Sequence, residues 1–143
     1  MTDPRTAPYA AFILRISLGL MFLAHAGVKL FVFTPAGTAG FFGQLGLPPA
    51  LAYVVIAAEV IGAAALIAGV WARLAVLALA PILLGAIATV HGANGWLFTN
   101  TGGGWEYPAF WAVGLVALAL VGDGAWALVP TPAFRRTAQP SIA

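Results

Sequence analysis

Four long apolar stretches constrain this chain more than any other feature it has. They run from about Ala10 to Phe33, Ala50 to Val70, Ala72 to Val90, and Tyr107 to Val121 with an extension toward Leu128. A helix that crosses a bilayer needs about 20 residues at about 1.5 Å rise each. The stretches lack the apolar–polar alternation of lipid-facing strands and are about twice too long for them. The expected fold is therefore all-α, an integral membrane bundle of four transmembrane helices. The charge content agrees: 7% of 143 residues are charged and 62% are hydrophobic, where a soluble domain carries about 25% charged residues. So few charges cannot cover a soluble surface, which excludes a soluble enzyme, a secreted disulfide scaffold and a disordered tail. With no cysteine, thiolate catalysis, disulfide exchange and iron–sulfur ligation are excluded as well.

The first stretch contains a decoy. Arg15, the run from Ile16 to Leu23, and Ala24-His25-Ala26 imitate a signal peptide with its cleavage site. The apolar run continues past that point to Phe33, so it is read as a retained span. The linkers differ in kind. Thr34–Pro49 mixes glycines with Phe41, Phe42 and Leu45–Leu47, which suits a re-entrant or interfacial segment between the first two spans. Trp71–Arg73 is a tight turn that makes spans two and three antiparallel neighbours. Gly92–Glu106 carries Trp96, Phe98 and Trp105, read as an aromatic belt at headgroup depth. One domain is expected over 1–128, followed by a polar, mobile cytoplasmic tail over 129–143.

Four spans put both termini on one side. Arg5, Arg15, Arg73, Arg135 and Arg136 collect there, against Lys29 alone on the other. The positive-inside rule then makes both termini cytoplasmic. Six basic against four acidic residues is too small an excess to imply nucleic acid. Small residues should mediate helix packing, as in Ala58-x-x-x-Gly62 and Ala65-x-x-x-Gly69, and Pro81 frees the Leu77 carbonyl and marks a candidate kink.

An ionisable group at membrane depth costs about 2.5–3.5 kcal/mol on insertion scales and usually faces the bundle interior with a partner. Arg15, His25 and Lys29 fall within an arc of about 80° on the first span. His25 and Glu59 both lie about 13 Å below the outer end of their spans. Lys29 is one turn outward, and His91 closes the third span on the same side. The polar groups thus converge on a cavity in the outer half of the bundle. Arg15, about one turn inside the boundary, is read as a structural residue that snorkels, and Arg73 as a topology anchor. Trp96 and Trp105 read first as belt, with a mouth-lining role as the alternative.

A quinone head group needs hydrogen-bond donors for its oxygens and a titratable group for its protons. His25, Lys29 and Glu59 supply these and are the candidate catalytic set. His25, Lys29, His91, Asn94, Trp105 and Glu106 are the candidate binding set. No metal site is expected: His25 and His91 sit at different depths, which also counts against an axial haem pair. Without a nucleotide or flavin motif, electrons must come from elsewhere. The plainer reading is that the buried charges only fix helix register.

At these residues the chain resembles the DoxX family of small four-helix bacterial membrane proteins, related to DoxD of thiosulfate:quinone oxidoreductase. The resemblance rests on RISLGLMFLAHAGVKLFVF from Arg15, Gly40-Phe41-Phe42, Leu45-Gly46-Leu47-Pro48 and Ala58-Glu59-Val60-Ile61-Gly62. It continues with Gly69, Arg73-Leu74, His91-Gly92-Ala93-Asn94-Gly95 and Gly103-Gly104-Trp105-Glu106-Tyr107-Pro108. It covers about residues 10–128, and it implies a cytoplasmic-membrane protein linked to quinone oxidoreduction, with the family's polar positions falling on His25, Lys29, Glu59, His91 and Glu106. The expected function is a quinone- or quinol-binding component of an oxidoreductase system. Its expected partners are lipid, quinone, a soluble or membrane redox protein and further copies of itself. No haem, flavin or iron–sulfur cluster is expected. The rivals are a membrane anchor or assembly subunit and, less favoured, a small-molecule or proton-coupled carrier with Glu59 as its coupling site.

Overall fold

A computed structural model describes residues 3–132; Arg135, Arg136 and most of the expected tail lie outside the described residues. Helix α1 (Ala7–Gly27) continues through a π-helical turn, Val28–Val32, to give one apolar rod over Ala7–Val32. Helix α2 (Pro35–Gln44) occupies the first linker. Helices α3 (Ala50–Ala68) and α4 (Ala72–Ala86) follow, and α4 runs on through a second π turn, Ile87–His91, and a 3-10 turn, Gly92–Asn94. Helix α5 covers Glu106–Val121. Among the described residues there is no strand, only an isolated bridge between Val70 and Val129.

Three of these rods are long and apolar enough to cross a membrane: Ala7–Val32, Ala50–Ala68 and Ala72–Asn94. The fourth, α5, has 16 residues and is about 24 Å long at 1.5 Å per residue, shorter than the others. It stops at Val121 because Gly122 adopts φ 104°, ψ −171°. The expected extension to Leu128 does not form. The helices close a ring in which α1 packs on α3 and α5, and α4 on α3 and α5, while α2 lies against α3. Leu18 and Phe22 of α1, Leu66 of α3, Val76, Leu79 and Leu83 of α4, and Trp111, Leu115 and Leu118 of α5 fill the interior.

Close approach follows from small residues, since lipid gives helices no hydrophobic reason to associate. A Cβ on Gly62 would sit 2.7 Å from Leu79, and one on Gly19 would sit 2.8 Å from Ile67. The first glycine belongs to the small-residue pattern of the second span. The second lies outside that pattern and sets the α1–α3 crossing.

The end of the bundle that carries the N-terminus is closed by the segment after α5, most of it expected as a helical extension toward Leu128. The Ala125 N–H donates to the Pro8 carbonyl, the Leu128 N–H to Ala68, the Val129 N–H to Gly69 and the Trp71 N–H to Val129. Trp126 packs edge-on against Phe12 at 4.8 Å between ring centroids. Asp123 accepts from the Thr131 N–H at 2.9 Å and from its hydroxyl at 2.7 Å. The ordered fold therefore runs past the expected boundary at Leu128. Backbone groups left open by the α3–α4 turn need partners, and this segment supplies them.

Arg15 corrects the sequence reading in its mechanism. It does not snorkel: it is 0% exposed. Its Nη1 donates to the carbonyls of Leu66 (2.6 Å) and Ile67 (2.9 Å), and its Nη2 to Ala125 (3.2 Å). A cation placed at the C-terminus of α3 satisfies carbonyls that have no intrahelical donor and complements the helix dipole.

Candidate functional site

The opposite half of the ring opens into a cavity of about 1140 Å³. It lies in the half expected to be outermost, where α1 and α4 both leave α-helical register through their π turns. Such turns often occur at functional sites because they redirect side chains that an α-helix would stack. Lys29 lies in the first π turn and His91 ends the second, and both line the cavity. Helix α2 contributes Gly37, Thr38, Phe41 and Phe42 to the wall. It is capped by Thr34, whose hydroxyl accepts from the Gly37 N–H. The linker expected to be interfacial or re-entrant is thus an ordered part of the cavity wall.

Lys29 and Glu59 meet across the α1–α3 interface. Lys29 Nζ donates to Glu59 Oε1 at 2.7 Å and Oε2 at 2.8 Å. The carboxylate side chain is 3% exposed and the lysine 20%, and both residues line the cavity. Depth arithmetic set Glu59 level with His25, but the bond goes to Lys29. The long lysine stem reaches across, whereas His25 turns its Nδ1 to the Met21 carbonyl one turn back (2.9 Å). That bond makes Nδ1 the protonated nitrogen of a neutral His25. The ring also lines the cavity and stands 4.8 Å from Trp111.

His91 is held from two sides. Its Nδ1 lies 2.9 Å from the Gly103 carbonyl and its Nε2 2.8 Å from the Tyr107 hydroxyl. A carbonyl can only accept, so Nδ1 carries the proton in the neutral ring and Nε2 accepts from the Tyr107 O–H. Tyr107 and Trp111 also line the cavity, and neither stood out in the sequence. Tyr107 reads there as the first residue of an apolar span, and Trp111 as one more aromatic inside it. Trp111 is 3% exposed, and its indole N–H is buried without a hydrogen-bond partner among the described residues.

The remaining candidates stand elsewhere. Asn94 Nδ2, with two hydrogens to donate, lies 3.0 Å from each of the carbonyls of Val90, Gly102 and Gly103, which ties the loop after α4 to itself. Glu106 Oε1 accepts from the Phe98 N–H at 2.7 Å. Trp105 packs edge-on against Trp96 at 4.5 Å. None of these three lines the cavity, although Glu106 borders a smaller hollow beside Tyr107. Their bonds fold the 92–105 loop, and Gly103 of that loop presents its carbonyl to His91. Among the described residues, no three His, Asp or Glu side chains come together as a group that could hold a metal ion.

A ring of four apolar helices, three of them long and apolar enough to cross a membrane, around a cavity lined by a few ionisable groups defines a multi-pass membrane protein. The sequence profile of the DoxX family matches residues 10–92, more than half of the chain, and the chain belongs to that family. A Bacillus subtilis (strain 168) protein named "Putative oxidoreductase CatD" is 40% identical over 78 residues, covering 54% of this chain and 57% of its own length. The chain thus spans little more than half the length of that relative. No solved structure matches it.

Proposed function

We propose that the protein is a quinone- or quinol-binding component of a membrane oxidoreductase system, with the cavity as its binding site. One observation carries this reading: a buried ion pair at membrane depth whose two residues line a large, mostly apolar cavity. Lys29 has three N–H donors. Two are directed to Glu59 and one remains for a ligand oxygen. His25 and Tyr107 extend the polar side of the same wall. Phe41, Leu45 and Val55 supply apolar surface for a ring and a prenyl tail. When bound, a quinone supplies two-electron redox chemistry. The chain's own residues hold its oxygens, keep bulk water from the pair and, at the Glu59 carboxylate behind Lys29, offer a proton acceptor.

The oxidoreductase name of the Bacillus subtilis relative agrees with this reading. In this proposal the electrons come from a soluble or membrane redox partner, because the sequence has no cysteine and no nucleotide-binding motif. The bacterial cytoplasmic membrane, with both termini inside, is part of the same proposal, as is self-association.

A second reading, membrane anchor or assembly subunit, is favoured by the fact that Lys29 already engages both oxygens of Glu59. Mass spectrometry of quinones co-purified in mild detergent separates the two. The variant to compare is Lys29→Met with Glu59→Gln, which removes both charges and leaves neither one orphaned. The quinone reading expects bound quinone in the wild type and its loss in a folded double variant. Absence of quinone from the wild type, together with no binding of added quinone, overturns it in favour of the anchor.

A further inference from the structure

The His91–Tyr107 pair has a property that the ion pair lacks, since its hydrogen bonding can be reversed without moving a ring. With His91 neutral, the Gly103 carbonyl holds the proton on Nδ1 and Tyr107 donates to Nε2. The phenol hydrogen is then used up, and the phenol oxygen can only accept from a third group. With His91 protonated, Nε2 becomes a donor and the Nδ1 bond to Gly103 is kept. The Tyr107 oxygen now accepts from Nε2, and its O–H turns away to donate elsewhere. Both residues line the cavity, so one proton on His91 converts Tyr107 from an acceptor to a donor toward whatever occupies it.

We infer that Tyr107 and His91 form a hydrogen-bond switch that makes the cavity favour the oxidised form of its ligand when His91 is protonated. This rests on the quinone reading above. A quinone oxygen can only accept, so it gains a partner when Tyr107 becomes a donor. A quinol hydroxyl both donates and accepts, so it fits either state. Quinone binding therefore takes up a proton at His91, while quinol binding does not.

The other ionisable groups on the wall are His25 and Lys29 on the α1 rod and Glu59 on α3. Helix α2 brings none, only Thr38 among polar side chains. Lys29 and Glu59 compensate each other at 2.7 Å. His25 is thus the other imidazole on the wall, and it is the necessary control. Glu106, next in sequence to Tyr107, is engaged with the Phe98 N–H and does not line this cavity.

The test measures the Kd of decylubiquinone and of its quinol, under argon, by calorimetry on the full chain in nanodiscs from about pH 5 to about pH 8. In the wild type, quinone affinity falls about tenfold from the acid to the neutral limb, the value of one hydrogen bond of about 1.4 kcal/mol, and quinol affinity changes less than about threefold. Tyr107→Phe and His91→Gln flatten the quinone profile, whereas His25→Gln preserves it. If both forms bind and the wild-type quinone profile is flat, or persists in Tyr107→Phe, the switch is wrong and the binding site stands. A profile lost in His25→Gln assigns the titration to the other imidazole and overturns the switch too. If neither form binds the wild type, the quinone reading itself falls, and the switch with it.

Discussion

Arg15 shows how a single buried charge is carried in a membrane bundle. Desolvating a guanidinium is expensive unless its donors are matched, and here two Nη atoms meet three carbonyls while the buried Nε has no partner among the described residues. Phe12 adds a ring face 5.4 Å from the guanidinium carbon. The turn is built around this charge: Gly69 caps α3 with φ 71°, and a Cβ there would sit 2.6 Å from Arg15 Nη1. Arg15→Met keeps the stem but leaves the carbonyls of Leu66, Ile67 and Ala125 without these donors. It should destabilise the bundle by about 2–4 kcal/mol, from the lost charge-assisted bonds. Thermal unfolding in detergent measures this, and no change in Tm would mean that water replaces the guanidinium at no cost. The sequence showed an arginine one turn inside a span, and length alone allows such a side chain to snorkel. Its carbonyl partners, some 50 and 110 residues away, have no side-chain signature that could have announced them.

Elements divide along the same line. The apolar rods were legible because lipid imposes a length and an apolar surface that composition must obey. Lys29 and Glu59 could be brought within reach by counting rise per residue, since antiparallel rods share a depth scale. The π turns at Val28–Val32 and Ile87–His91 leave no compositional mark, so Tyr107 went unnoticed as the partner of His91. The segment after α5 does not continue the helix as its apolar residues suggest, because its order comes from backbone bonds to the α3–α4 turn rather than from apolar burial. Its one carboxylate gives a test. Burial opposes ionisation of Asp123, but bonds from the Thr131 hydroxyl and from the N–H groups of Thr131, Ala72 and Arg73 outweigh it and hold the carboxyl below its ordinary value of 3.8. A depressed folded value means that the unfolded chain binds more protons in acid. The stabilisation is therefore complete above the ordinary carboxylate range and is lost as pH falls through the lowered folded value. Asp123→Asn should lower Tm at neutral pH by the equivalent of about 1–3 kcal/mol, and the gap from the wild type should close as the medium is acidified. A gap that stays constant would show that the carboxylate is not what holds the segment.

At the scale of the whole molecule the two ends of the bundle differ in design. One end is sealed by Arg15, Asp123 and the 122–132 segment, and the other is hollow and carries the ionisable pair. Orientation decides which compartment the hollow half faces, and so where a proton taken up at His91 comes from. The fold shifts the weight of the positive-inside argument. Arg15 is buried and no longer counts as a flanking charge, and Lys29 is neutralised by Glu59. Arg5 and Arg73 remain at the sealed end among the described residues, with Arg135 and Arg136 following in the sequence. In the proposed orientation that end is the cytoplasmic one. Since the chain has no cysteine, a single introduced thiol reports without background. Thr99→Cys, exposed on the loop beyond the hollow end, should react with a membrane-impermeant maleimide in intact spheroplasts. Thr6→Cys, exposed at the sealed end, should react only after lysis. The opposite pattern would turn the cavity toward the cytoplasm, so that His91 would draw its proton from the cell interior.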